Sequence, residues 1–225
     1  MRAWLSCLLL LFPMSAMASP PPASPAQFCE AAIVNAERVG RLPLRMMDAI
    51  AAVESGRIDE ETGKVRPWPW TINAEGQGFY FASKEQAIAA VRALQGRGVR
   101  SIDVGCMQVN LMFHPDAFSS LEQAFDPHAN ALFAARFLNA LYTASHDWPT
   151  AIAAYHSETP ALGAAYRQMV MARWGGGTTE RAAPLSHYAD FQPRSERYQD
   201  FLPRRQVYGA FANSFDSKSN SFSLR

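Results

Sequence analysis

Six stretches of this chain place apolar residues at a helical period and are separated by glycine, proline or helix-capping residues. They run from Gln27 to about Val39, Leu44 to Ser55, Ser83 to Gly96 or Gly98, Asp126 to about Ser145, Asp147 to Tyr155, and Pro160 to Arg173. One stretch, 67–81, differs, because Trp68, Trp70 and Ile72 alternate before a glycine-containing turn. The pattern predicts a mainly α domain of the α+β class with one small β-hairpin.

The N-terminus has the three regions of an export signal. Arg2 is basic, Leu5–Phe12 is apolar but too short to span a bilayer, and Ala16–Ala18 fits the small-x-small cleavage rule. Residues 1–18 are therefore expected to be removed, leaving a proline-rich lead-in over 19–26 and a periplasmic protein without a membrane anchor. An uncleaved anchor helix is the alternative.

Composition restricts the possible partners. The formal net charge of +1 gives no electrostatic signature for nucleic acid or for an anionic membrane surface. Apolar residues make up 48% of the chain, which is enough for a packed core and excludes disorder of the whole chain. We expect a helical domain over 27–175 and a polar tail over 176–225, which is either poorly ordered or a partner-binding segment.

Removal of the signal leaves two cysteines, Cys29 and Cys106. An even pair in an exported protein predicts one disulfide, and two buried free thiols are the alternative. The histidines lack metal-ligand spacing, and the chain has no glycine-rich phosphate loop. No metal and no cofactor are therefore expected.

A carboxylate ends an otherwise apolar helical segment, "MMDAIAAVESGR". In a helix, Glu54 lies over Met47, Ile50 and Ala51, which belong to the face that should be buried. Burial and the negative end of the helix dipole both raise the pKa of a carboxyl group. Glu54 is therefore a candidate general acid, and an exposed Glu at a frayed helix end is the alternative.

Two further segments carry chemistry. In "DVGCMQVN", Gly105 permits a close backbone approach, and Gln108 and Asn110 bring amides that can grip sugar hydroxyl and acetamido groups. In "AIAAYHS", Tyr155 ends an apolar run, and a buried Tyr hydroxyl needs a partner such as a buried carboxyl. Each segment by itself is a weak signal.

The order of these segments is specific. "ES" at Glu54-Ser55, "GCMQV" starting at Gly105, and "AYH" ending at His156 resemble the motifs of lytic transglycosylases with a soluble-lytic-transglycosylase-type domain, over about 28–170. Cys106 stands where Leu is usual, and His156 stands where Asn is usual. "INAEG" resembles the family loop that reaches the sugar, which brings in Asn73, and a long insertion follows it.

The resemblance implies a lysozyme-like fold and cleavage of peptidoglycan between N-acetylmuramic acid and N-acetylglucosamine. Glu54 would act as acid and then base, with Tyr155 as its hydrogen-bonding partner. The groups expected to position the glycan are those of Ser55, Asn73, Met107 (through its backbone), Gln108 and Asn110. The aromatic side chains of the hairpin, which are Trp68, Trp70, Phe79 and Tyr80, either stack on sugars or pack across the strands.

These expectations favour a monomeric lytic transglycosylase that binds peptidoglycan glycan strands. The other motif segments supply amides and a tyrosine, and the nearest extra acids, Asp59, Glu60 and Glu61, lie in a polar stretch expected to be solvated. Attack by the sugar's own hydroxyl, giving 1,6-anhydromuramic acid, is therefore expected. The alternatives are a lysozyme-type hydrolase and a non-catalytic wall-binding factor. The sequence leaves open wall turnover, a secretion system or a flagellum.

Overall fold

The computed structural model describes residues 24–60 and 62–175. Within this part of the chain, the helices are α1 (Pro25–Gly40), α2 (Met46–Glu54), α3 (Lys84–Gly96), α4 (Leu121–Ala124), α5 (Pro127–Ser145), α6 (Trp148–His156) and α7 (Pro160–Gly175). The predicted mainly α class with a small β-hairpin is confirmed, in keeping with the lysozyme-like fold that the resemblance implies. The export signal, most of the lead-in and the tail over 176–225 lie outside the described residues.

Six short strands complete the described part. They are β1 (Gly56–Ile58), β2 (Val65–Pro67), β3 (Thr71–Ala74), β4 (Gln77–Tyr80), β5 (Ile102–Val104) and β6 (Val109–Asn110). Strands β1 and β2 form one antiparallel hairpin, and the others form a sheet in the order β4-β3-β5-β6 with antiparallel neighbours. Trp68 and Trp70 precede β3, so the predicted hairpin is present but shorter than expected.

Helix α2 is the centre of the main core. Its Met46, Met47, Ile50 and Ala51 have no exposed surface, and α1 and α7 both pack against it. A helix that is apolar on nearly all sides is buried on nearly all sides. Helix α5 packs on α1 and α6, and α6 packs on α7, so the end of α2 is surrounded by the helical layer.

The start of α2 is fixed by a side chain from α1. The helix was expected to begin at Leu44, but Arg45 has a φ of 63° and the helix begins at Met46. The buried Glu37 carboxylate accepts hydrogen bonds from the N–H groups of Met47 at 2.7 Å and Arg45 at 3.1 Å. Glu37 thereby satisfies two N–H groups at this helix end, a role usually filled by a local cap.

The long insertion builds a second, smaller core. Helix α3 contributes Ala87 and Val91 to a cluster that also contains Ile72 of β3 and Val104 of β5. The β3–β4 turn consists of Glu75 and Gly76, whose φ values of 54° and 78° suit a two-residue hairpin turn. One face of the sheet is therefore covered by α3. Among the described residues, no helix combines the length and apolarity needed to cross a membrane.

Candidate active site

Glu54 is the last residue of α2, and the chain turns directly from it into β1. A Cβ atom on Gly56 would lie 2.3 Å from the Ala52 carbonyl oxygen and 2.5 Å from the Val65 side chain. A side chain at this position would therefore not fit. The φ of Gly56 is not in the left-handed region that a helix-ending glycine usually adopts, so space and not backbone conformation requires the glycine. This close packing fixes the position of Glu54 at the junction of the helical layer and the β1–β2 hairpin.

The Glu54 carboxyl has the properties of a proton donor at neutral pH. Part of the residue is exposed, whereas the carboxyl group itself is surrounded by protein. Burial raises the pKa of Glu54 to about 8, the hydrogen bond from Tyr166 opposes this, and the charge of Asp103 adds to it. The carboxyl is therefore mostly protonated at pH 7, as a general acid requires.

The tyrosine that hydrogen-bonds Glu54 is Tyr166, not the expected Tyr155. The Tyr166 hydroxyl donates to Glu54 Oε1 at 2.6 Å, whereas the Tyr155 hydroxyl donates to the Met107 carbonyl oxygen at 2.8 Å. Tyr155 ends α6 and faces the loop before β6, while the fully buried Tyr166 of α7 faces the end of α2. The contact between Tyr166 and Glu54 could not be predicted from the sequence, because Tyr166 lies in α7, away from any recognised motif.

Helix α7 reaches this position by packing unusually close to α6. A Cβ on Gly163 would lie 2.7 Å from the Ser157 carbonyl oxygen and 3.0 Å from that of Ala153. His156, at the end of α6, stacks on the Tyr166 ring with centroids 4.6 Å apart and planes inclined by 8°. The residue that departs from the usual A-Y-N motif therefore supports the ring that hydrogen-bonds Glu54.

The loop from Gly105 to Asn110 is held by a buried amide that sequence reasoning missed. Asn130 of α5 accepts a hydrogen bond from Met107 N at 2.9 Å and donates to the carbonyl oxygens of Val104 and Ala124, both at 3.0 Å. Gly105, with a φ of 82°, leaves room for it, since a Cβ there would lie 2.5 Å from Asn130 Nδ2. A polar residue on the apolar face of α5 was the available signal.

The two amides expected to grip sugars are engaged within the protein. Gln108 has a φ of 47°, and its Nε2 donates to the carbonyl oxygens of Gly105 at 2.9 Å and Thr71 at 3.1 Å. Asn110 Nδ2 donates to Asp103 Oδ1 at 2.7 Å, and Asn110 Oδ1 accepts from Met112 N at 2.9 Å. Both side chains shape the loop, and their amide nitrogens donate hydrogen bonds within the protein.

The Ser55 side chain and the Met107 backbone also form hydrogen bonds that hold the loop in place. Ser55 is fully buried, and its hydroxyl donates to the Cys106 carbonyl oxygen at 2.7 Å. The Met107 N–H and carbonyl are taken up by Asn130 and Tyr155. The structure therefore places these residues at the site, where both are hydrogen-bonded within the protein.

Cys29 and Cys106, the pair named from the sequence, are bonded in the structure. Their sulfur atoms are 2.08 Å apart and their Cα atoms 5.7 Å apart, within the usual range for a disulfide. The bond joins α1 to the loop that carries Met107. Cys106 thus anchors that loop by a covalent bond at the position where the family usually has Leu.

A second carboxyl lies at the site. Asn73 of β3 is directly opposite Asp103 of β5, which is directly opposite Asn110 of β6, so the three side chains share one sheet face. Burial raises the pKa of Asp103 to about 7, against the effect of its hydrogen bond from Asn110. The sequence does carry a signal for this second carboxyl, since Asp103 is an acid between the apolar residues Ile102 and Val104.

Of the acids just after Glu54, the two that the structure describes are Asp59 and Glu60. Asp59 hydrogen-bonds Thr62 at 2.7 Å and pairs with Arg66 at 3.4 Å, and Glu60 is exposed. Glu61 lies outside the described residues. Within the described ranges, no group of three or more His, Cys, Asp or Glu side chains could hold a metal ion.

The two tyrosines can be told apart by the pH dependence of lysis. Tyr166→Phe removes a hydrogen bond that lowers the Glu54 pKa, so the alkaline limb of the pH profile should move upward from about 8, and kcat should fall by roughly tenfold. Tyr155→Phe removes no hydrogen bond to Glu54 and should leave that limb in place. An upward shift in Tyr155→Phe alone would reverse the assignment.

Comparison with known families agrees with this geometry. The family model of the transglycosylase SLT domain matches residues 32–169, more than half of the chain. Searches of curated proteins and of solved structures give no significant match. The matched range contains Glu54, Asp103, the Met107 loop and Tyr166. The chain therefore belongs to the transglycosylase SLT domain family, whose members are lytic-transglycosylase-type proteins that act on peptidoglycan.

Proposed function

We propose that this protein is a peptidoglycan lytic transglycosylase that cleaves the β-1,4 bond between N-acetylmuramic acid and N-acetylglucosamine, with Glu54 as general acid and then base. The observation that carries the proposal is the Glu54 carboxyl at the end of α2, hydrogen-bonded by Tyr166 and with its pKa raised to about 8. The export signal expected from the sequence would deliver the protein to the periplasm, the compartment that holds this substrate.

The chemistry needs one proton donor that becomes a proton acceptor. Neutral Glu54 gives its proton to the glycosidic oxygen, the bond from that oxygen to C1 of muramic acid breaks, and the N-acetylglucosamine side leaves as an alcohol. The N-acetyl group of muramic acid can stabilise the cationic centre. The Glu54 carboxylate then accepts the proton of the C6 hydroxyl, whose oxygen attacks C1 and closes the 1,6-anhydro ring. Intramolecular attack benefits from proximity, and no water is consumed.

A second candidate function is hydrolysis of the same bond, and Asp103 is the observation that favours it. Glycoside hydrolases generally use two carboxyl groups, one as acid and one as base or nucleophile. Asp103 raises the pKa of Glu54 through its charge, so the two groups are electrostatically coupled. Because the pKa of Asp103 itself is raised to about 7, only part of the population carries the carboxylate at neutral pH. A pKa near the working pH suits a general base, and this supports the second candidate. Transglycosylation is still the preferred function, because the family model that matches the chain is that of a transglycosylase domain.

The products decide between the two functions. Purified glycan strands digested in oxygen-labelled water should give 1,6-anhydromuramic ends, no new reducing ends and no label. Asp103→Asn should lower the rate without changing the product. Products that carry the mass of a labelled water, and that disappear in Asp103→Asn, would identify a hydrolase and reject the transglycosylase mechanism.

A further inference from the structure

An arginine stacked on aromatic rings lies beside the catalytic turn. Arg57, three residues after Glu54 in the chain, places its guanidinium 4.3 Å from the Trp68 ring centroid and 5.9 Å from that of Tyr80. Trp68 N donates to the Ser55 carbonyl oxygen at 3.0 Å, and the Tyr80 hydroxyl donates to the Gly56 carbonyl oxygen at 2.8 Å. The Trp68 indole Nε1 donates to the Phe81 carbonyl oxygen at 2.7 Å, so both residues are held beside the turn that follows Glu54. We call Arg57, Trp68 and Tyr80 the Arg57 cluster.

The guanidinium of Arg57 has no carboxylate partner within the described protein. In the β1–β2 hairpin, Arg57 lies directly opposite Arg66. Arg66 has two carboxylate partners, Glu30 at 2.7 Å and Asp59 at 3.4 Å. The Arg57 guanidinium forms no ion pair and no hydrogen bond with any residue that the structure describes. Its N–H donors are therefore available to an external anion.

This geometry suits a carboxylate. A guanidinium held 4.3 Å from a ring centroid by a cation–π contact keeps its N–H donors, which can bind both oxygens of a carboxylate at once. Stacking also limits the movement of the side chain, so less rotamer freedom is lost on binding. Tyr80 is 42% exposed, so part of this residue is accessible to a sugar beside the guanidinium. The cluster thus combines an apolar platform with a fixed cation.

We propose that the Arg57 cluster binds a carboxylate on the muramyl arm of the glycan strand, meaning the lactyl group of muramic acid or the stem peptide attached to it. The inference rests on the proposed function, since it concerns the same site, and it adds a determinant of specificity. The cluster then favours strands that contain charged muramyl units over uncharged polymers of N-acetylglucosamine.

The test measures binding, so that it does not depend on turnover. The mature chain carrying Glu54→Gln is titrated with uncharged N-acetylglucosamine oligomers, with peptide-free strands whose lactyl carboxylate is free, and with strands that retain stem peptides. Adding Arg57→Gln should raise Kd by about tenfold, or about 1.4 kcal/mol, for the strand that carries the recognised carboxylate. The affinity for the uncharged oligomer should not change, and added salt should weaken only the charged complexes.

Two further variants serve as controls. Arg57→Lys keeps the charge but loses the paired donors. Its Kd for the charged strand should therefore lie between that of the Glu54→Gln parent and that of the Arg57→Gln variant. Arg97→Gln removes an exposed arginine at the end of α3 and should bind every ligand as the parent does. The identity of the responding strand distinguishes a lactyl carboxylate from a peptide carboxylate.

Three results would overturn the proposal. Equal weakening for charged strands and uncharged oligomers would show that Arg57 only supports the rings. Unchanged affinity in Arg57→Gln for all three ligands would show that it has no part in binding, and a parent that binds none of them would exclude the subsite. A parent that binds charged strands while the wild type fails to lyse them would reject the proposed function but leave this inference standing.

Discussion

Glu54→Gln is expected to reduce lysis of purified peptidoglycan by about 10²- to 10⁴-fold, the range typical for loss of a general acid–base group. Gln has nearly the same shape and can accept the Tyr166 hydrogen bond, but it has no proton to give to the glycosidic oxygen. Turbidity of a peptidoglycan suspension measures the loss. Glu122→Gln, which alters an exposed carboxyl of α4, should retain lysis.

The same substitution should change stability in a pH-dependent way. Burial raises the pKa of Glu54 from 4.5 to about 8 in the folded protein, so the folded state binds a proton more tightly than the unfolded state does. The stability contributed by Glu54 is therefore complete below pH 4.5 and is lost as the pH rises through about 8. Glu54→Gln should have a higher Tm than the wild type at about pH 9 but not at about pH 5.

Full lysis by a Glu54→Gln protein with unchanged circular dichroism would remove Glu54 from the mechanism.

Loss of the disulfide should have the largest effect on stability. The chain-entropy model gives about 4 to 5 kcal/mol for a bond between residues separated by 77 positions, and Cys29→Ala with Cys106→Ala should lower the free energy of unfolding by about that much. Denaturant unfolding measures this difference. Adding reductant should shift the wild type to the same midpoint and leave the double variant unchanged. Detection of two free thiols by mass spectrometry of the unreduced protein would contradict the bond.

The helices could be predicted from the sequence because their signals are local. Asp126 caps α5 by accepting a hydrogen bond from Ala129 N at 2.8 Å. Asp147 caps α6 in the same way by accepting one from Thr150 N at 2.9 Å. Strand β5 has only three residues and becomes a strand by pairing Ile72 with Val104 across the insertion. So short a segment carries too little alternation to be recognised before its partner is known.

Glu54 could be proposed as a general acid from the sequence, but the surroundings of the site could not be predicted. The motif gave the identity of Gln108 and Asn110, whereas the backbone geometry decides which way each amide points. Gln108 turns its donors inward because its φ is 47°. Asn130 and Tyr166 reach the site from α5 and α7, and their contacts depend on how the helices pack.

The hydrogen bond between Tyr166 and Glu54 joins residues 112 positions apart in the chain. A ribosome therefore synthesises Glu54 early and adds Tyr166, which hydrogen-bonds it, only when the helical domain is nearly complete. An incomplete chain that stops before α7 has Glu54 without its partner and without the helix that buries it. The proposed general acid is thus oriented only after almost the whole helical domain has been made and has folded.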